Sequence, residues 1–291
     1  MAARTPVSSS VERPPLLTPR LEERLLLALR YALLISLLAV FIGPFLWMVS
    51  ISFRGAENVY DLNLIPKNPT LSNYVEVFRA FPLGHAFLNS ILVTTITVSL
   101  NLLLCSLAAY PLARFEFFGK RIIFLLILST LMIPFQLYMI PLFVLTLKLS
   151  LADTLAGIIL PWSVGAFGIY LLKQHYQTIP DSLEEAARID GAGEVAIWWR
   201  IMMPLTKPAL AALAVFIFVQ NWSDFLWPLI IINSEERYTL PIAVAKMSGA
   251  FIDKTQYMAA GSVLAALPVI VFFFLAQRRF IGGLTLGAVK G

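Results

Sequence analysis

The chain has 291 residues, of which 59% are hydrophobic and only 13% charged, with a mean hydropathy of +0.80 and a formal net charge of +5. A soluble domain carries about 25% charged residues, so a water-soluble globule is excluded. The isoelectric point of 9.4 does not signal nucleic acid, because Lys and Arg are not gathered on one soluble element with aromatics between them.

The first 24 residues form a polar leader rich in proline (Pro6, Pro14, Pro15, Pro19) and serine, a composition that does not build a core. The remainder, 25–291, reads as one membrane domain. A spanning helix needs about 20 consecutive apolar residues, and six such runs follow in order: 31–53, 80–113, 122–147, 154–172, 208–234 and 255–277. They are continuous rather than alternating, so the spans are helices and not barrel strands. The first is too long for a signal peptide and no small-residue cleavage site closes it. The expected fold is an all-α integral membrane protein with six transmembrane helices.

An even number of spans puts both termini on one side. Of the 22 basic residues, fifteen lie on the terminus side (Arg4, Arg30, Arg114, Lys120, Arg121 and Lys173 among them) and seven on the other. The positive-inside rule then places both termini in the cytoplasm and explains the basic charge.

Chemistry of the catalytic kind is missing. Cys105 is the single cysteine and lies inside the second run, so no disulfide framework or cysteine-rich metal site is expected. His85 and His175 fall on opposite sides of the membrane and cannot share a metal. The phrase GGLTLGAVK at 282–290 lacks the Gly-Lys-Ser/Thr ending of a phosphate-binding loop.

The loop at 173–207 is the most distinctive stretch. Asp181 and Ser182, followed three residues on by Glu184 and Glu185, form a capping-box pattern. A helix over 183–190 is expected, ending at Gly191 in a left-handed turn, and then a second helix over 194–203 stopped by Pro204. The first helix is acidic, with small residues Ala186 and Ala187 on its face. That suits a protein groove with basic walls better than an anionic lipid surface. In the second helix, Trp198 and Trp199 beside Arg200 suit the lipid interface. On residue chemistry alone, an ordinary acidic connector fits about as well.

Glu185-Ala186-Ala187, Asp190-Gly191-Ala192, Ile201 and Pro204 stand at the spacing of the EAA loop, and the loop resembles that of bacterial ABC importer permeases. The resemblance extends to 88–120 (LNSILVTTITVSLNLLLCSLAAYPLARFEFFGK), to NWSDFLWP at 221–228, to YTLP at 238–241 and to the tail QRRFIGGLTLGAVKG, covering 25–291. It is greatest with the carbohydrate-uptake class, in the subunit type of the second maltose permease. The resemblance implies the ABC type I importer permease fold in a bacterial inner membrane. It implies that Glu184, Glu185, Ala186, Ala187, Asp190 and Gly191 couple to a cytoplasmic ATPase dimer, with Glu185 facing a basic residue of that partner. ATP and magnesium would be bound there and no cofactor or metal by this chain. The further implied partners are a second homologous permease subunit, an extracytoplasmic solute-binding protein, membrane lipid and a carbohydrate, and not nucleic acid.

Polar residues inside spans mark candidate paths. Asn89, Ser90, Thr94, Thr97 and Asn101 stand in the second run, Gln136 and Tyr138 in the third, and Gln220, Asn221, Trp222 and Asp224 in the fifth. Of these Asn89, Gln136, Asn221, Trp222 and Asp224 are the candidates for the translocation path. Helix-to-helix hydrogen bonding is the competing role, foremost for the hydroxyls. Pro44, Pro134, Pro141, Pro161, Pro228 and Pro268 are candidate kinks. The loop 233–256 reads as an exposed connector. A secondary transporter or channel, drawing on Asp224 and an ion gradient, is the alternative function.

Overall fold

The structure is a computed structural model that describes residues 19–55, 61, 63–250 and 254–285, with side chains described over 23–55, 61, 63–249 and 254–275. The leader up to residue 18 and the end of the tail, 286–291, lie outside the described residues. Fourteen helices appear among them, and no strand; Arg54 and Pro69 form one isolated bridge.

Three helices cross in one piece: α1 (Pro19–Ser52), α3 (Leu83–Arg114) and α14 (Thr255–Thr285). A short α2 (Ser72–Ala80) precedes α3. The third span is α4 (Lys120–Ser129), extended by a 3-10 turn, and then α5 (Phe135–Lys148), bent by 103° between them. The fourth is α6 (Leu155–Trp162) and α7 (Ala166–Tyr176), bent by 42°. The loop that follows holds α8 (Ser182–Ile189), α9 (Glu194–Ile197), a π turn (Trp198–Met202) and α10 (Met203–Leu205). The fifth span is α11 (Lys207–Trp222) followed by α12 (Leu226–Ile231), and α13 (Leu240–Ala250) leads into α14.

The six-span expectation holds, with half the spans broken. Proline is not the general cause. Helices α1, α3, α5 and α14 run through Pro44, Pro111, Pro141 and Pro268 respectively. Pro134, the N-cap of α5, stands at one break, and Pro161, the last residue but one of α6, stands two residues before another. The second and third breaks fall at 163–165 and 223–225, where Ser163, Gly165, Ser223 and Asp224 offer the backbone local alternatives to the helical ladder.

Helix α3 is the central element, packed against α6, α7, α11 and α13. Its approach to α7 depends on Gly168, where an added Cβ would stand 2.8 Å from Cys105 Sγ. Small residues of this kind let membrane helices touch. Cys105 is fully buried there, its thiol pointing at the Gly165 carbonyl. Long apolar side chains of α1, α4, α5 and α14 face outward, as expected where lipid is the solvent.

The loop 233–256 is not a plain exposed connector. Leu240, Ile242, Ala243 and Met247 of α13 are buried, because the apolar face of that helix packs on α3 and α14. Beside it, Asp153 closes the loop between α5 and α6 onto the segment after α12. It accepts hydrogen bonds from the backbone of Asn233 and Ser234 at 3.0 Å each and pairs with Arg237 at 2.9 Å.

Candidate functional site

The 173–207 loop is anchored from behind by one ion network centred on the buried pair Arg114 and Glu184. Arg114 ends α3; its Nε lies 2.6 Å from Glu184 Oε1, its Nη2 donates to the Ile179 carbonyl at 2.6 Å, and its Nη1 pairs with Asp181. Glu184 is only 2% exposed. Its other oxygen accepts from Arg188 at 3.2 Å and from the Tyr110 hydroxyl at 3.3 Å. Arg188 and Tyr110 reach on to Glu194 at 2.7 and 2.9 Å, tying α8 to α9. A buried carboxylate survives only with such pairing.

This corrects the capping-box expectation. Asp181 is the N-cap residue of α8 but makes no side-chain cap bond; Arg114 takes its carboxylate instead. Glu184 turns inward for the same reason. The C-terminal expectation holds: Gly191 adopts φ +81°, with Gly191 N–H to Arg188 O at 3.0 Å and Ala192 N–H to Ala187 O at 2.9 Å. That pair of bonds is a Schellman motif.

Helix α8 therefore has two faces. Glu184 and Ala187 are buried, whereas Glu185, Ala186 and Asp190 are exposed and Ile189 is 86% exposed. Gly191 is exposed beside them. An apolar side chain as bare as Ile189, next to a free carboxylate, describes a surface that awaits a partner.

The following helix differs from expectation in two ways. Pro204 does not stop it at once: the helix loosens into the π turn just before Pro204 and ends one residue after it, at Leu205. The sharp change of direction, 77°, comes after Leu205, before α11. And only Trp199 is exposed; Trp198 is buried, donating from Nε1 to Ser106 Oγ at 3.0 Å. Ser106 also bonds Tyr176, so the loop is keyed into the α3–α7 seam.

A second feature lies inside the bundle. A cavity of about 920 Å³ is lined by Asn101, Tyr138, Trp162, Gln220, Asn221 and Asp224, with Phe135, Phe167 and Phe216 as aromatic walls. All three span breaks converge on it: Ile133 and Phe135, then Trp162 to Gly165, then Asp224. Non-helical backbone at membrane depth is tolerated where it lines a cavity. The Asp224 carboxyl and the Trp162 indole line the same space.

The five sequence candidates for the path separate in space. Asn221 and Asp224 line the cavity, and Asn221 commits one amide N–H to Ile217 O at 3.0 Å. Trp222 is buried on the far side of α11, donating to Ala265 O at 2.9 Å. Asn89 latches the segment before α13, donating to Glu236 O at 2.8 Å and Tyr238 O at 3.0 Å. Gln136 is exposed away from the cavity. Trp162 was not among the candidates; its position before the Ser163–Gly165 break is the one signal that marks it.

Residues 101–282 match the profile of a family described as binding-protein-dependent transport system inner membrane component. The chain is 38% identical over 262 residues to the arabinooligosaccharides transport system permease protein AraQ of Halalkalibacterium halodurans, covering 88% of this chain and 93% of that protein. It is 37% identical over 252 residues to the trehalose transport system permease protein SugB of Mycobacterium tuberculosis, covering 85% and 92%. Among solved structures, a bacterial ABC transporter involved in the import of the acidic polysaccharide alginate superposes with a TM-score of 0.81 at 25% identity, covering 92% of this chain and all of that one.

Proposed function

The chain belongs to the family of binding-protein-dependent transport system inner membrane components and is a permease subunit of a carbohydrate ABC importer; on that premise we propose how its residues serve the transport. Helix α8 docks in a cleft of a separate cytoplasmic ATPase dimer, which binds ATP and magnesium and performs the hydrolysis. Glu185, Ala186, Ile189 and Asp190 form the docking face, and Glu185 meets a basic residue of the ATPase. The single observation that carries this reading is the division of α8 into a bare outer face and an inner face locked by Glu184 to the end of α3.

That lock makes α8 a lever. A displacement of the ATPase is passed through Glu184 and Arg114 to α3, and through Trp198 and Ser106 to the α3–α7 seam. Helix α3 packs against most of the bundle, so its movement redirects the cavity between the two sides of the membrane. Both termini face the cytoplasm, in keeping with the excess of Lys and Arg on that side. A second, homologous permease closes the open flank of the cavity, and an extracytoplasmic solute-binding protein delivers the solute.

The cavity offers amides, a carboxylate and aromatic faces, which suit the hydroxyls and C–H faces of a sugar, polyol or glycoside. Family membership decides against the alternative of a secondary transporter powered by Asp224 and an ion gradient.

The test is co-purification and uptake. The tagged chain, isolated in mild detergent from cells that express the whole importer, should bring an ATPase and a second permease with it. Glu185→Lys should insert normally yet lose ATP-driven uptake. A chain that purifies alone and transports in liposomes without ATP would overturn the reading.

A further inference from the structure

Three cations converge at one place on the coupling-loop side of the bundle with a single acid among them. A concavity of about 540 Å³ is bounded by Glu116, by the start of α4 (Gly119, Lys120, Arg121) and by Lys173 of α7. The first turn of α4 carries two cations and no acid, and Gly119 gives it no side-chain cap. Basic residues at a helix N-terminus oppose the helix dipole; the Lys120 N–H is taken by the Phe117 carbonyl at 3.3 Å, and no side chain caps the N–H groups that follow. Lys173 is only 9% exposed. Its ammonium lies 4.4 Å from the Phe124 ring centroid and reaches one neutral acceptor, Gln177 Oε1, at 3.3 Å. Among the described residues no carboxylate pairs with Lys173 or Arg121, and Lys120 adds a second positive charge to the Lys173 surroundings. The one acid present, Glu116, is spent on Lys120 at 2.9 Å from an exposed position.

We propose that this concavity binds the phosphate of an anionic lipid of the adjacent leaflet, held by Lys120, Arg121 and Lys173 at the start of α4. Three cations, one of them the buried Lys173 ammonium, face a single exposed carboxylate at a helix start, and a phosphodiester supplies the missing counter-charge. The surroundings select lipid over a soluble phosphate. Phe118 is fully exposed and Phe117 and Ile122 are 40% and 63% exposed around the same turn, an apolar rim at interfacial depth where acyl chains lie. Lys173 belongs to the span that runs directly into the coupling loop, so the lipid would brace α4 against α7 beside that loop. The inference rests on the membrane-spanning fold and not on which solute is carried.

The experiment uses the assembled importer, stripped of endogenous lipid in detergent and titrated separately with phosphatidylglycerol, phosphatidylcholine and inorganic phosphate, with bound lipid counted by native mass spectrometry. Phosphatidylglycerol should be retained in preference to phosphatidylcholine. Arg121→Gln, an exposed position, should weaken its binding about fivefold, and Arg121→Gln with Lys173→Gln by about 25-fold, at about 1 kcal/mol for each cation. Equal retention of the two lipids, or unchanged retention in the Arg121→Gln variant, would overturn the proposal. Displacement of phosphatidylglycerol by inorganic phosphate would overturn it in favour of a soluble anion. Loss of the ATPase from the variant complexes, with lipid retention intact, would overturn it in favour of a protein contact.

Discussion

Arg114 Nε, at the last residue of α3, stands 2.6 Å from Oε1 of Glu184 in α8, and both side chains are nine-tenths buried or more. Two neighbouring acids of one helix therefore do opposite work. Glu184→Ala would leave Arg114 with Asp181 and the Ile179 carbonyl but without its buried partner, at a cost of about 3 kcal/mol. Glu185→Lys alters an exposed side chain and should change stability by less than about 0.5 kcal/mol. Thermal melting of the purified permease chain should separate them: a large drop for Glu184→Ala, none for Glu185→Lys, with uptake by the importer lost in both. Equal melting temperatures for the two would contradict the locked-lever geometry.

Gly191 supplies a cleaner test of the turn that ends α8. Its φ of +81° suits glycine, while an added Cβ would meet nothing within 4 Å. The cost of Gly191→Ala is thus conformational, about 1 kcal/mol, and Gly191→Asn should be milder because asparagine visits this region. A β-branched Gly191→Val should be the worst of the three. Uptake measured for the series should fall in the order Asn, Ala, Val; the reverse order would mean that the partner surface, not the backbone, limits this position.

The spans were legible because bilayer thickness demands long apolar runs, and Gly191 because only a glycine accepts that φ without strain. What escaped the sequence depends on distant partners. Adjacent residues on a helix point about 100° apart, and whether Glu184 or Glu185 turns inward is decided by Arg114, which belongs to another span. The same holds for Trp198 and Trp199: the hydroxyl of Ser106 selects the first, through a π turn that no local pattern announces. Proline was an incomplete marker of breaks: Pro134 and Pro161 stand at or beside two of them, but helices run through Pro44, Pro141 and Pro268, and the break at 223–225 contains no proline. The cavity was half legible. Asn221 and Asp224 stand out as polar residues in an apolar run, but Trp162 looks like any core aromatic, and the other wall of α11, where Trp222 packs, is set by α14.

Asp153 predicts a pH response at the opposite end of the bundle. Hydrogen bonds from Ser234 and Asn233, with Arg237 beside it, hold its carboxyl down to about 2 from the usual 3.8. A depressed value means that the ionised form is favoured by the fold. Its contribution is fully present above pH of about 4 and is lost as pH falls toward 2. Asp153 has φ 54°, which asparagine also tolerates, so Asp153→Asn removes the charge and keeps the backbone. Stability of the wild-type chain should be flat from neutral pH down to about 4 on this account. The variant should lose about 1 kcal/mol there and narrow its deficit below. A deficit that does not shrink at low pH would show that the carboxylate is not the source.

If solute passes through the cavity as proposed, Asp224 should make it selective by charge. It stands at the break between α11 and α12 with amides of Gln220 and Asn221 and the ring of Trp162 around the same space. At membrane depth the effective dielectric is low, and like charges a few ångströms apart repel by several kcal/mol. An uronate-bearing sugar entering this cavity would meet that repulsion, whereas a neutral sugar would find an acceptor for two hydroxyls. Asp224→Asn has the same shape and no charge. Uptake of a neutral oligosaccharide by the reconstituted importer should fall only a few-fold, since the amide still accepts and donates, while inhibition by the corresponding uronic acid should strengthen by about tenfold or more, the equivalent of about 1.4 kcal/mol. Asp224→Leu should depress neutral uptake more than Asp224→Asn, because it removes the acceptor as well as the charge. If both variants transport the neutral sugar as the wild type does and the uronate inhibits none of them differently, solute does not pass Asp224, and the cavity walls of the second permease carry the selection alone.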